Sequence, residues 1–214
     1  MSKLIKLSDL TAIIFDLGGV ILNLDYNLTI NAFKKLGGER FDELYTQAHQ
    51  DKIFDQLETG KINSSDFIDY MKQFLPGDVS SQNIVDAWNA MLLDLPPYRI
   101  KFLQELKNSH QIFLFSNTNE IHFHRFSDHI DKRFGDRQLL DKIFVQTYYS
   151  HKVGERKPDA AAFKKVITDH QLNPSKTLFI DDSEQHIIGA SKVGLQTKHL
   201  IHEDIIDIFD RSNL

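Results

Sequence analysis

Four short apolar runs, spread along the chain and separated by helical stretches, each stop at a polar, small or charged residue, and this shared ending restricts the fold more than any other feature. Residues 11–15, Thr-Ala-Ile-Ile-Phe, run into Asp16, and residues 111–115, Gln-Ile-Phe-Leu-Phe, run into Ser116-Asn-Thr-Asn119. Residues 142–146 lead to a polar segment ending at Lys157, and residues 177–180 stop at Asp181-Asp-Ser183. Such runs read as parallel β-α units, so the expected fold class is α/β, a parallel sheet with helices on both faces. Open sheets of this kind place ligands beyond the carboxyl ends of their strands, where all four endings would gather. Asp16 is the most telling of them. It stands in an otherwise apolar stretch, residues 11–22, where a charge is costly to desolvate unless something requires it, and Gly18-Gly19 behind it end the strand in a turn.

Helix signals fill the spaces between. Pro97 opens a helix running to about residue 108, and Pro158 takes a first helical position with Asp159 in the favourable first turn. Ser183 caps a helix through Lys192, with Gly194 as its stop; residues 197–200 form a final strand, and 203–210 an amphipathic helix. Residues 24–94 differ in kind. They show helical periodicity at Phe33 and Leu36 and again at Phe67, Ile68, Met71, Phe74 and Leu75, broken at Gly37-Gly38, Gly60 and Pro76-Gly77, with no convincing strand. A helical insertion between the first two strands stands above the sheet's C-terminal edge, where a lid would go. The expected domains are therefore a core of residues 1–23 and 95–214 and a helical cap of residues 24–94.

Composition sets limits. The 214 residues, 41% hydrophobic with 16 Phe, suffice for a sizeable core. A net charge of −5 without blocks of like charge argues against nucleic acid or an anionic membrane as partner. The absence of cysteine excludes disulfides and thiolate chemistry and suits a reducing compartment. No leader-like apolar core follows the N-terminal lysines and no run approaches membrane-spanning length, so a cytoplasmic protein is expected.

The gathered endings are chemically consistent. A carboxylate can attack phosphorus, a hydroxyl and backbone N–H groups can hold phosphoryl oxygens, an ammonium can offset their charge, and a hard cation takes oxygen ligands from paired carboxylates. Together they resemble the haloacid dehalogenase superfamily: Phe15-Asp-Leu-Gly-Gly-Val20, Phe115-Ser-Asn-Thr118, Gly154-Glu-Arg-Lys-Pro158 and Phe179-Ile-Asp-Asp-Ser183 look like its four motifs. The resemblance spans nearly the whole chain. It is similar to the small phosphatases whose inserted cap is a four-helix bundle, and implies a Rossmann-like core and Mg²⁺-dependent phosphoryl transfer from a small phosphorylated metabolite. Carried over, Asp16 is the nucleophile, Ser116 and the Asn117 backbone hold phosphate, and Lys157 neutralises charge. Asp16, Asp182 and the Gly18 carbonyl bind the metal, with Asp181 reaching it through water.

Position 18 departs from the pattern, because most phosphatases of the superfamily carry there an aspartate that protonates the leaving oxygen. A positioned proton donor contributes about 10²–10⁴ in rate, so poor leaving groups should suffer most. Members with a similar Asp-Leu-Gly motif are regarded as sugar-phosphate phosphatases, and a sugar 1-phosphate suits the missing acid. Gly18 also motivates a non-catalytic phosphometabolite-binding reading; a dehalogenase or phosphomutase fits less well. Asn23, Asp25, Asn119 and His122 are placed to select substrate. His122 and His124 point to different faces of a helix and read mainly as its polar positions, while Trp88 reads as core, and His199 and His202 carry no role.

Overall fold

A two-residue strand, β1 (Ile5–Lys6), precedes a five-stranded, wholly parallel sheet built from β2 (Ala12–Phe15), β3 (Gln111–Ser116), β4 (Gln146–Tyr149), β5 (Thr177–Asp181) and β6 (Gln196–His199). The computed structural model describes residues 4–38, 41 and 52–210. The order β4-β3-β2-β5-β6 puts the first strand of the sheet at its centre, with connections leaving it to opposite sides. That is the topological switch point at which open α/β sheets bind ligands. Register brings the strand ends level: Phe15 lies opposite Leu114 and Ile180, Ser116 opposite Tyr149, and Asp181 opposite His199.

Alternation along the strands explains the layers. Ile13 and Phe15 of β2 join Ile112, Leu114, Leu178 and Ile180 on one face. There they meet Ile100 and Leu103 of helix α5 (Pro97–Leu106) and Phe126 and Ile130 of α6 (Glu120–Phe134). Ala12 and Ile14 face the other way with Phe113, Phe115 and Phe179, against Phe163 and Val166 of α9 (Ala160–Asp169) and Ala190 of α10 (Glu184–Lys192). A period of two thus loads both faces with apolar side chains, as a sheet covered on both sides requires.

Between β2 and α5 the described residues form helices α1 (Tyr26–Lys35), α2 (Lys52–Glu58), α3 (Ser64–Lys72) and α4 (Ser81–Asn89). Their starts are encoded locally. The Asp25 carboxylate accepts from Asn27 N–H, and Asn63 with Asp66 and Ser80 with Asn83 form reciprocal capping boxes. Phe33, Phe54, Phe67, Met71, Ile84 and Trp88 close a second core, which Ile121 of α6 completes from below. The outgoing and returning chains run side by side: Asn23 N–H donates to Asp94 O at 2.9 Å and Leu93 N–H to Asn23 O at 3.0 Å. Arg99 grips this neck, donating to Ile21 O and Asn23 Oδ1 while its other nitrogens hold Asp204. Residues 39, 40 and 42–51 of the expected cap lie outside the described residues.

Three local expectations are corrected. The run 142–146 joins the sheet only at its last residue: Leu140 and Ile143, three apart, bury one face of the short helix α7 (Leu139–Ile143), and the strand is β4, where Tyr148 and Tyr149 fill the sheet. Pro158 and Asp159 precede α9, which begins at Ala160, and Asp159 is its N-cap without a side-chain cap bond. Residues 203–210 form turns and a two-residue strand, β7 (Phe209–Asp210), parallel to β1. Asp204 is drawn to Arg99 and Tyr98, and Ile205, Ile208 and Phe209 pack into the core beneath the sheet. Among the described residues no helix is long and apolar enough to cross a membrane.

Candidate active site

The end of β2 places Asp16 at the sheet's centre, its N–H donating to Ile180 O at 2.9 Å. Asp16 is 7% exposed, and its carboxylate accepts from Lys157 Nζ at 2.7 Å. The same ammonium donates to Asp181 Oδ2 at 2.6 Å and is wholly buried. Lys157 therefore stands between carboxylates from neighbouring strands. Asn117 fixes it there by the backbone: its amide donates to Lys157 O at 2.8 Å and accepts from Lys157 N–H at 2.9 Å. The loop after β3 is steadied by Ser150 at the start of α8 (Ser150–Val153), whose hydroxyl accepts from Thr118 N–H and donates to Thr118 O. Ser116 ends β3, buried, on the wall of the same cavity.

Charge at the site is not balanced. Asp16, Asp181 and Asp182 each bring a carboxylate oxygen within 4.8 Å of the others. Burial pushes the Asp16 carboxyl up to about 6, against the pull of Lys157 and with the help of Asp181. Burial, then Asp16 and Asp181, push Asp182 up to about 7. For Asp181 burial also acts upward, but Lys157 and His186 outweigh it and hold the group at about 2. Lys157 loses by burial and gains more from its two carboxylates, so it stays charged. Two of three clustered carboxylates are thus short of positive charge, and an all-oxygen donor set of this kind fits a hard divalent cation such as Mg²⁺.

The two glycines serve separate ends. Gly19 has φ +72°, and a Cβ on it would lie 2.2 Å from Asp182 Oδ2, so only glycine lets that carboxylate approach the turn. Gly18 has ordinary φ, but a Cβ there would lie 2.5 Å from Leu24 Cδ1. A leucine methyl thus takes up the space into which a side chain at 18 would grow.

Some groups escaped the sequence reading. His186 Nδ1 lies 2.9 Å from Asp181 Oδ1 on the first turn of α10; its signal was its place one helical turn past Asp181-Asp-Ser183. Ser183 stands at the N-cap, but it is its N–H that bonds, to Asp181 Oδ1 at 2.8 Å. Arg156 leaves the Lys157 loop for the insertion, pairing with Asp55 and, at 3.0 Å, with Glu58 of α2. Burial raises the Glu58 carboxyl despite that partner. His199, given no role above, hydrogen-bonds Asp182 O through Nε2.

Asp16, Asp182, Ser116, His186, Arg156 and Glu58 line one cavity of about 300 Å³ between sheet edge and insertion, while Lys157 and Asp181 are buried outside its lining. Of the four candidate selectors only His122 lines it; Asn23 belongs to the neck, and Asp25 and Asn119 cap α1 and α6. His122 is also more than a polar helix position. It is buried and stacked on Trp88, while His124 is exposed on the other side.

The haloacid dehalogenase-like hydrolase family profile matches residues 10–194, with all four motifs inside. The chain belongs to this family. D-ribitol-5-phosphate phosphatase of Bacteroides thetaiotaomicron is 30% identical over 186 residues, spanning 86% of this chain and 89% of its own. A sesquiterpene phosphatase of Aspergillus oryzae, astK, is 26% identical over 192 residues, spanning 88% and 89%. Among solved structures, a haloacid dehalogenase family enzyme of Bacteroides thetaiotaomicron in complex with magnesium and inorganic phosphate superposes with TM-score 0.81. It is 33% identical and matches 94% of this chain and 100% of its own. L-2-haloacid dehalogenase of Xanthobacter autotrophicus, at 14% identity and TM-score 0.56, shares the fold alone. The family profile makes this chain a haloacid dehalogenase-like hydrolase, and phosphatases stand among its relatives.

Proposed function

We propose that this chain hydrolyses a small phosphorylated polyol or sugar through a phospho-enzyme formed on Asp16. The observation that carries the reading is the buried Lys157 ammonium bridging Asp16 and Asp181 at 2.7 and 2.6 Å, with Asp16 and Asp182 lining a cavity shared with Ser116. The Asp16 carboxylate attacks phosphorus; an acyl-phosphate bond forms as the bond to the substrate oxygen breaks, and that oxygen takes its proton from water because Gly18 offers none. Water then hydrolyses the acyl phosphate, releasing inorganic phosphate and restoring Asp16. Ser116 Oγ–H and the Asn117 N–H hold the phosphoryl oxygens, and Lys157 offsets their charge. Asp16, Asp182 and the Gly18 carbonyl would hold Mg²⁺, while the Asp181 oxygens already serve Lys157, His186 and Ser183. The ion supplies added positive charge to the transferring group.

Residues 24–94 act as a cap, tied to the Lys157 loop by Arg156 through Asp55 and Glu58. The substrate class is supported by the D-ribitol-5-phosphate phosphatase relative, and a cysteine-free chain is consistent with a cytoplasmic enzyme. Phosphate release from D-ribitol 5-phosphate, sugar 1-phosphates and p-nitrophenyl phosphate, with Mg²⁺ or with chelator, tests the proposal. Mg²⁺-dependent release that vanishes in Asp16→Asn supports it. A folded wild type that releases none across the panel returns the chain to the phosphometabolite-binding reading.

A further inference from the structure

One polar group of the cavity stands among apolar side chains rather than among the carboxylates. His122 and Phe126, one turn apart on α6, face the cavity together with Trp88, Met91, Leu92 and Leu24, so His122 is the polar member of an apolar wall. Its state is set by its neighbours. Asn89 Nδ2 donates to Val85 O at 3.0 Å, which turns Asn89 Oδ1 toward His122 Nδ1, 3.0 Å away. Since Oδ1 can only accept, Nδ1 carries the ring proton. Burial pushes the imidazole down to about 3, so it stays neutral at working pH and Nε2 presents a bare lone pair. The ring is held flat against Trp88, centroids 4.9 Å apart and 14° between planes, and Asn119 Oδ1 accepts from His122 N–H at 3.0 Å. Ring, tautomer and backbone are all fixed before any ligand arrives. Among the described residues Nε2 has no protein partner, and an acceptor left unmade in an apolar wall disfavours any ligand that cannot donate to it.

We infer that His122 Nε2 is the group that selects the substrate's organic part, accepting a hydrogen bond from a hydroxyl while the phosphoryl group sits at Asp16. This deepens the function proposed above and rests on it. The ligand is then a phosphorylated polyol or sugar with a free hydroxyl beyond the ester, rather than a purely hydrocarbon phosphate. Asn89 is the positioning residue, since it sets the tautomer without touching the ligand.

The test compares D-ribitol 5-phosphate with pentyl phosphate, the same five-carbon chain without hydroxyls. Wild type should favour the polyol in kcat/KM. His122→Phe, which keeps the stack on Trp88, should cut that preference about tenfold, the size of one hydrogen bond together with the relief of an unpaired acceptor. Pentyl phosphate turnover should hold or rise. Asn89→Leu should lower the preference too, with p-nitrophenyl phosphate turnover kept. Equal losses on both substrates, or none, would overturn the inference. Calorimetric binding of the two phosphates to the Asp16→Asn protein, with and without His122→Phe, decides the same question without turnover. A protein that binds polyol over alkyl phosphate through His122 but turns over neither phosphate nor p-nitrophenyl phosphate would sink the catalytic reading while leaving this one standing.

Discussion

Gly18→Asp is the sharpest probe of how this site manages its missing acid. The added Cβ would sit 2.5 Å from Leu24 Cδ1, against about 3.5–4.0 Å for relaxed carbon contacts, so the methyl must retreat by about 1 Å. Backbone strain is absent, because φ at 18 is ordinary. Pushing one leucine off its rotamer costs about 1 kcal/mol, which lowers a correctly placed catalyst about fivefold. Leu24→Ala removes the obstruction at roughly 1–2 kcal/mol of lost burial, spent on stability rather than on geometry. The double variant should therefore raise kcat/KM for an alkyl phosphate about 10²-fold over wild type, with the single variant some fivefold behind it. For p-nitrophenyl phosphate, whose aryl oxygen leaves without a proton, both changes should stay under about tenfold. Steady-state phosphate release at saturating Mg²⁺, with melting temperatures to confirm folding, measures all of this. Equal gains or losses for alkyl and aryl esters in folded protein would refute the claim that position 18 lacks only a proton donor.

Lys157→Met should leave two carboxylates, Asp16 and Asp181, without their ammonium and cost about 3–5 kcal/mol of stability, as for any buried pair broken on one side, read by denaturant unfolding; an unchanged midpoint would contradict the charge assignment. Arg156→Ala strands Glu58 in the insertion, so KM for phosphate esters should rise several-fold with Glu58→Gln restoring part of it. Mg²⁺ should stabilise the protein more as pH rises. Asp16 at about 6 and Asp182 at about 7 hold protons in the fold that an unfolded aspartate has lost above 3.8, so the metal-free protein loses stability from about pH 4 to 7. Asp181 works oppositely: held at about 2, its contribution is present above about 4 and fades only toward pH 2. A melting-temperature gain from Mg²⁺ that does not grow across pH 4–7 would argue against these carboxylates as its ligands.

The polar edge of the sheet was legible because its strands stop at polar residues, and β2, β3 and β5 do so abruptly at Asp16, Ser116 and Asp181. The third run misled by its apolar content: Ile143, Phe144 and Val145 look like a strand, but Leu140 three residues earlier gives Ile143 a helical partner, and pairing waits until Gln146. The tail from 203 misled in the same way, since its apolar spacing suits a helix while Arg99, 105 residues upstream, holds Asp204 instead. The Arg156 bridge and the Asn89–His122 pair join residues 101 and 33 positions apart, and nothing local marks such partners.

The neck at Asn23 and Asp94 has an evolutionary consequence. Because the insertion leaves and rejoins the sheet at one hydrogen-bonded point, its helices can be exchanged for others without altering the register of a single strand. A graft that keeps residues 21–23, 93–94 and Arg99 should carry a foreign roof on the same chemistry, turning substrate choice into a transplantable trait.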